Sequence, residues 1–465
     1  MPYDYDLICI GSGPAGQRAA IQAAKLGKKV AVIEKRDTVG GICVDLGTIP
    51  SKTFREAVLY FTSVAGRFET RQVVRGGSRP EAKDLLAKVG ETVRVEQEVV
   101  ERQLRRNDVT VVRGEAYFMD PHTVGVRVPN AEGKLTAEFV FVGVGTHPAK
   151  PPGIEADGQT VLTSDDVVGL KAMPRSLTVV GAGVIGTEYA SMFAQLGTEV
   201  TIVEKRERPL EFLDREIVDE LMHQMRDRNV TFRLEESVAS MRVEPKGSGH
   251  RAVIELESGK RIISDAALFS AGRVASTETL GLSAAGVPLG DRGRLVVDEN
   301  FRTAVAHIYA GGDVIGAPAL AATSAEQGRR AALHMFGLNC DPMPAWFPFG
   351  IYSIPEISMV GETEEQLTEK KVPYEIGLAR YREIARGQIL GDESGLFKMI
   401  FHRDTRKLLG VHIIGTYATE LIHTGQAVLA LGGGLDYFVD AVFNYPTLAE
   451  CYKVAALDAA NKLSV

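Results

Sequence analysis

The sequence predicts an α/β protein of about three domains, and three observations support this. The chain has 465 residues, enough for about three units of ordinary size. A strand, a glycine loop, a helix and a second strand ending in an acid occur twice, 170 residues apart. A cluster of prolines then introduces a last segment of different pattern. Hydrophobic residues make up 45% of the chain and charged residues 24%, a globular balance with room for more than one buried core. The net charge of −7 argues against a general affinity for nucleic acid or an anionic membrane.

The first unit opens with Asp6-Leu7-Ile8-Cys9-Ile10, an apolar run that reads as a buried parallel strand. Gly11-Ser12-Gly13-Pro14-Ala15-Gly16 follows, then an Ala-rich helical stretch to Leu26 and a strand from Lys29 to Ile33 that ends at Glu34. This is G-x-G-x-x-G in the strand–helix–strand context that gives it meaning. Gly11 permits the tight turn, Gly13 lets the backbone approach a pyrophosphate, and Gly16 lets helix and strand pack closely. The helix N-terminus stabilises phosphate charge, and Glu34 can accept hydrogen bonds from ribose hydroxyls.

The second unit repeats the pattern. Ser176 to Val180 leads into Gly181-Ala182-Gly183-Val184-Ile185-Gly186, a helix, a strand from Glu199 to Val203, and Glu204. The acid stands 23 residues beyond the first glycine in both copies. One such loop is weak evidence, because many are plain turns. Two copies with matched acids imply two dinucleotides, FAD and a nicotinamide nucleotide, set up for hydride transfer.

Further along, Ala306 to Gly316 reads A-H-I-Y-A-G-G-D-V-I-G and leads into a helix running to about His334. Pro342, Pro344 and Pro348 surround Trp346 and mark a boundary. Phe397 to Ile414 reads as strands around a polar turn, with helices after it. The stretch Glu69 to Glu81, containing Arg75-Gly76-Gly77-Ser78, reads as an exposed loop between helices.

The four cysteines, Cys9, Cys43, Cys340 and Cys451, show neither a C-x-x-C pair nor metal-ligand spacing. No metal site is expected. Cys9 and Cys451 read as small buried hydrophobes, and the set fits a reducing compartment. The first strand begins within a few residues of the N-terminus, which leaves no room for a signal peptide. No apolar run reaches the roughly 20 residues of a membrane span. The expectation is a cytoplasmic protein.

The loop Gly40-Gly41-Ile42-Cys43-Val44-Asp45-Leu46-Gly47-Thr48-Ile49-Pro50-Ser51-Lys52 resembles the redox loop of the pyridine nucleotide–disulfide oxidoreductases, G-G-x-C-x4-C-x-P-S-K. It has the first cysteine, but Thr48 replaces the second. The resemblance runs the whole length of the chain. It implies two Rossmann-like dinucleotide-binding domains plus a C-terminal α+β dimerisation domain. The expected boundaries are 1–150 with 278–341 for FAD, 151–277 for NAD(P), and 342–465 for dimerisation.

Several roles follow from the same resemblance. Lys52 lies against the flavin, paired with Glu188 on the first helix of the nicotinamide domain. Asp313 binds the ribityl and phosphate region. The helix after it, from about Ala321, points its N-terminus at the flavin's pyrimidine carbonyl. Gly145 and Gly272 belong to the two short crossings between nucleotide domains. Lys35, Gly41, Cys43 and Thr48 join the first-unit residues as FAD contacts. Val184, Ile185, Glu204 and Lys205 join the second-unit glycines as NAD(P) contacts. In the plain alternative, Lys52 is a solvated lysine and Glu188 a surface acid. Cys43 is read as an inert thiol rather than a nucleophile.

Disulfide chemistry also needs an acid–base histidine, which the family supplies from the partner subunit in H-P-x-x-x-E. Here the segment is Phe443-Asn444-Tyr445-Pro446-Thr447-Leu448-Ala449-Glu450. Tyr445 replaces the histidine and Glu450 remains. A tyrosine with a pKa of about 10 is a poor proton shuttle near neutrality. Two departures serving one step argue that the step is absent.

Within the family the chain looks most like the soluble, FAD-containing pyridine nucleotide transhydrogenases. These share the single-cysteine loop, G-I-Y-x-I-P-E-I-S (Gly350 to Ser358), F-N-Y-P-T-x-A-E (Phe443 to Glu450) and Phe212-Leu213-Asp214. The implied activity is ping-pong hydride exchange between NAD(H) and NADP(H) at the flavin, in a homodimer whose C-terminal domain completes the partner's site. Glu204 strains this reading, since an acid there favours NAD and repels a 2′-phosphate. Lys205, Arg206 and Arg208 could hold that phosphate, or be ordinary exposed charges. The alternatives are an NADH-preferring oxidase or diaphorase, a flavin-holding regulatory protein, and disulfide reduction through Cys43, for which Cys9 is no credible partner.

Overall fold

The computed structural model describes residues 3–67, 80–150, 153–154, 156–247 and 249–463. Most of the expected loop from Glu69 lies outside them. Its end does not: Glu81 is the N-cap of the helix Ala82–Arg106, in a capping box with Asp84.

The first unit builds a mostly parallel sheet. In order across it run Thr110–Arg113, Val30–Glu34, Tyr5–Ile10 and Ala131–Val142, with Ile308–Ala310 pairing in parallel on the far side. Alternation along these strands explains why they are apolar throughout. Ile8, Ile10, Ala31 and Ile33 enter one core, whereas Leu7, Cys9, Val30 and Val32 enter the other. A sheet covered on both faces needs apolar residues at successive positions. The strand Ala131–Val142 serves two partners. Its second half pairs in parallel with Tyr5–Ile10, and its first half pairs antiparallel with Thr123–Val128.

The second unit builds a five-stranded parallel sheet in the order Val230–Leu234, Glu199–Glu204, Ser176–Val180, Ala266–Phe269, Val161–Thr163. The crossing segments meet in a short antiparallel pair, Thr146–Pro148 against Arg273–Ala275. Gly145 and Gly272 flank opposite ends of this ladder: Gly145 O accepts from the Ser276 N–H and Gly272 O from the Ala149 N–H.

The last segment forms a five-stranded antiparallel sheet: Phe349–Ile351, Ile357–Gly361, Leu408–Ile414, Leu396–His402 and Tyr374–Arg380. Helices Ala418–Ala430 and Glu450–Leu463 pack on it. The strands and helices expected after Phe397 are therefore present. No described helix is long and apolar enough to cross a membrane.

Candidate active site

The two glycine loops have nearly the same geometry. Gly11 and Gly181 both have φ +96°, and a Cβ on Gly16 or Gly186 would stand 2.0 or 1.9 Å from the carbonyl oxygen of Gly11 or Gly181. Any side chain there would push the helix off its strand. Helices Pro14–Lys25 and Val184–Gln195 start after Gly13 and Gly183, and neither N-cap makes a side-chain cap bond. A Cβ at Gly13 or Gly183 would meet nothing within 4 Å, so each helix starts beside open space. An uncapped helix start beside open space suits an anion such as a pyrophosphate. Pro14, Ala15, Val184 and Ile185 form the first turns of these helices.

At the strand ends the acids are held by hydrogen bonds. Glu34 Oε2 accepts from the Ser12 N–H at 3.0 Å and its hydroxyl at 2.6 Å. Glu204 Oε2 accepts from the Ala182 N–H at 2.7 Å, and both its oxygens accept from Arg206. Lys35 and Lys205 follow these acids and are exposed.

The redox-loop segment folds over the first glycine loop. Gly41 has φ +64°, and a Cβ there would lie 2.8 Å from Gly13 Cα. The Gly40 N–H donates to Ser12 Oγ at 3.0 Å. Cys43 lies in the helical turn Gly41–Asp45, and Thr48 begins the helix Thr48–Arg67. Burial pushes the Cys43 thiol up, against a hydrogen bond from Thr48. All four cysteines are free.

Lys52, one turn into that helix, reaches the second unit. Its Nζ donates to both oxygens of Glu188 at 2.9 and 2.7 Å. Glu188 is 3% exposed, and burying an unpaired carboxylate would cost several kcal/mol. The third segment completes the arrangement. The Tyr352 N–H donates to Glu188 Oε1 at 2.9 Å, and the Tyr352 ring lies 4.9 Å from Lys52 Nζ. Burial raises the Tyr352 phenol above its ordinary range. Arg55 ties the same region down by donating to Ser353 O and pairing with Glu356 at 3.0 Å.

Asp313 follows the strand Ile308–Ala310, and Thr146 Oγ1 donates to it at 3.5 Å. Burial raises the Asp313 carboxyl, with Arg273 opposing. Arg273 in turn donates to Thr146 Oγ1 and O, both at 2.8 Å. Ala321 opens the helix Ala321–Met335, whose N-cap Leu320 makes no side-chain cap bond.

Tyr445 and Glu450 stand apart from this cluster. Among the described residues no hydrogen bond or ion pair joins either to Lys52 or Glu188. Tyr445 is 75% exposed, and Glu450 Oε2 is buried without a hydrogen-bond partner. Of the four expected catalytic residues, Lys52 and Glu188 are thus brought together within one chain, and Tyr445 and Glu450 are not joined to them. Tyr352, Arg273 and Arg55 escaped the sequence reading. For Tyr352 the signal was G-I-Y-x-I-P-E-I-S itself, which identified a relative but gave the tyrosine no role.

Two matching glycine loops and a part-buried Lys52–Glu188 pair that joins the two units are the features of a two-dinucleotide oxidoreductase. Residues 5–328 match the family model for pyridine nucleotide-disulphide oxidoreductases, and residues 347–456 match the dimerisation domain of the same proteins. The chain belongs to that family. A soluble pyridine nucleotide transhydrogenase of Mycobacterium tuberculosis is 52% identical over 462 residues, covering 99% of this chain and 98% of the relative. One from Hahella chejuensis is 42% identical over 472 residues, covering 99% of each. Among solved structures, the HOCl-induced flavoprotein disulfide reductase RclA from Escherichia coli matches with a TM-score of 0.88 at 26% identity, covering 97% of this chain and 99% of that one.

Proposed function

We propose that the protein exchanges hydride between NAD(H) and NADP(H), with FAD at the first unit and the two nucleotides taking turns at the second. One observation carries this reading: the Lys52–Glu188 pair is complete where thiol chemistry is not, since Thr48 and Tyr445 occupy its positions. The full-length likeness to soluble transhydrogenases supports it.

The residues of the first unit fit FAD. The helix after Gly13 is uncapped, Gly13 leaves open space, and Glu34 ends the second strand, the position from which an acid meets a ribose. When bound, FAD supplies a carrier that accepts a hydride from one nicotinamide and returns it to another. Lys52 sets a positive charge beside that carrier, and Glu188 and Tyr352 keep it aimed. The N-terminus of Ala321–Met335 adds partial positive charge. Val184 and Glu188 line the place where each nicotinamide binds in its turn. No protein thiol and no acid–base group takes part, so Thr48 and Tyr445 are compatible with turnover.

We take 1–150 with 278–341 as the FAD domain, 151–277 as the NAD(P) domain and 342–465 as the dimerisation domain. Pairing of Ile308–Ala310 with the first sheet supports the discontinuous FAD domain. We further propose a homodimer in which Tyr445 and Glu450 of each subunit complete the other's site. Val442 and Leu431, 97% and 87% exposed in the matched dimerisation segment, support that. The free cysteines favour a reducing compartment such as the cytoplasm.

The NADH-preferring oxidase reading draws on Glu204 alone. Anaerobic stopped-flow separates the two. NADH should bleach the flavin absorbance and NADP⁺ should restore it, with parallel lines in initial-rate plots. An enzyme that NADPH fails to bleach, and that oxygen or a quinone restores instead, is an oxidase.

A further inference from the structure

The two dinucleotide units end their second strands on the same tripeptide, Glu34-Lys35-Arg36 and Glu204-Lys205-Arg206, yet the arginines turn in different directions. In the first unit Arg36 Nη1 donates to Asp45 at 3.3 Å, while its backbone N–H bonds Glu34 at 2.9 Å. Ser12 satisfies Glu34 Oε2 with its hydroxyl. The matching residue in the second unit is Ala182, which has no hydroxyl. There Arg206 folds back on the acid, Nε to Oε1 and Nη2 to Oε2, both at 2.9 Å. A carboxylate oxygen bonded by a neutral hydroxyl in one unit is bonded by a cation in the other.

This difference changes what the strand-end acid can accept. A bare carboxylate bonds ribose hydroxyls and repels a 2′-phosphate. Glu204 is not bare. Burial works against its ionisation, but the Arg206 and Ala182 hydrogen bonds prevail and hold the carboxyl below its usual range. A guanidinium presents five N–H donors in a rigid plane. Two meet Glu204. Nη1 makes a longer ion pair with Glu211 Oε2, at 3.7 Å; this is beyond hydrogen-bonding distance, so a more highly charged anion can displace the half-exposed Glu211 from that edge. Lys205 is exposed alongside.

We propose that Arg206 lets one site accept both nucleotide forms. It cancels the charge of Glu204 and offers its Nη1 edge to a ribose 2′-phosphate. When the ribose carries only hydroxyls, it yields Glu204 to them. The inference rests on the reading that both nucleotide pools are used. It accounts for an acid at the position where NADP(H) would otherwise be refused. The ribose of FAD has no 2′-phosphate, and in that unit the arginine stands off.

The test is calorimetric titration of oxidised holoenzyme with NAD⁺ and NADP⁺, which differ only in the 2′-phosphate. Arg206→Gln should weaken NADP⁺ by about tenfold to a hundredfold, the range of a lost charged hydrogen bond, and should tighten NAD⁺. Glu204→Gln should weaken NAD⁺ and leave NADP⁺ as tight or tighter. If Arg206→Gln weakens both nucleotides alike, or leaves NADP⁺ unchanged, the proposal is wrong. No hydride moves between oxidised enzyme and oxidised nucleotide. A failed exchange assay beside the expected affinities would therefore sink the functional reading and leave this one standing.

Discussion

Lys52 Nζ sits 2.9 Å from one oxygen of Glu188 and 2.7 Å from the other, across 136 residues of sequence. The bond joins the helix that follows the redox loop of the first unit to the first helix of the second. In the proposed exchange hydride crosses that boundary, and Lys52 is the cation held at the junction. Lys52→Met removes the charge and leaves Glu188 its Tyr352 N–H. The limiting rate of flavin bleaching by NADH should fall about a hundredfold, the scale of losing one preorganised stabilising group, with NADH affinity little changed. A limiting rate close to wild type would remove Lys52 from the chemistry.

Cys43 should behave as an inert thiol. Burial raises its pKa above the ordinary 9.0, and Thr48 only partly opposes this. A raised thiol stays protonated at neutral pH, and the thiolate is the reactive form. Alkylation of Cys43 by iodoacetamide should therefore be slow at pH 7 and still be climbing at pH 9. A plateau near neutrality would mark a low-pKa, reactive cysteine instead. Thr48→Cys sets a second sulfur beside the first, and mild oxidation should remove a pair of titratable thiols. Disulfide substrates should still not turn over, because Tyr445 stands where the acid–base histidine would be.

The parts of this site that were legible in the sequence are those whose chemistry is local. A glycine loop, a helix start and a strand-end acid must keep fixed spacing to hold one dinucleotide, so Gly11 to Glu34 and Gly181 to Glu204 could be read directly. Lys52 and Glu188 emerged through resemblance, because no local pattern spans 136 residues. Tyr352 acts partly through a backbone N–H, which has no side-chain signature. The cations after Glu204 were visible but their direction was not. That direction follows from Ala182 lacking the hydroxyl that Ser12 has, a contrast that matters only once strand and loop are side by side. Lys398 was missed for a similar reason. It sits among apolar residues in the strand Leu396–His402, and its partners come from distant elements.

Lys398 is 1% exposed, with both oxygens of Asp214 at 3.0 Å, Glu216 at 3.2 Å, and Glu364 also bonded. It locks the helix Arg215–Asp227 to the last sheet. Lys398→Met leaves Asp214 buried and unpaired, and should cost about 3–5 kcal/mol near pH 7. The pH dependence has a definite sign. Burial opposes ionisation of Asp214, but His412 and Lys398 hold its pKa below the ordinary 3.8. That contribution is present above 3.8 and is lost as pH falls through the lowered value. In the variant the unpaired carboxyl titrates higher and gains stability on protonation. Urea midpoints of wild type and variant should therefore converge as pH drops below about 4. A gap that stays constant from pH 7 to pH 3.5 would show that Asp214 is not the group responsible.

Tyr352 makes two contacts that can be separated by substitution. Its backbone N–H holds Glu188 whatever the side chain. Its ring faces the Lys52 ammonium at 4.9 Å, a cation–π contact of about 0.5–2 kcal/mol. Tyr352→Leu keeps the first contact and removes the second. If the ring positions Lys52, the limiting rate of flavin bleaching should drop about three- to thirtyfold while nucleotide affinity holds. Tyr352→Phe keeps the ring and should restore most of the rate. A general loosening of the junction would instead weaken NADH binding and rate together, and phenylalanine would not rescue it. The split between affinity and rate, with the phenylalanine control, therefore distinguishes a residue that aims Lys52 from one that merely fills space.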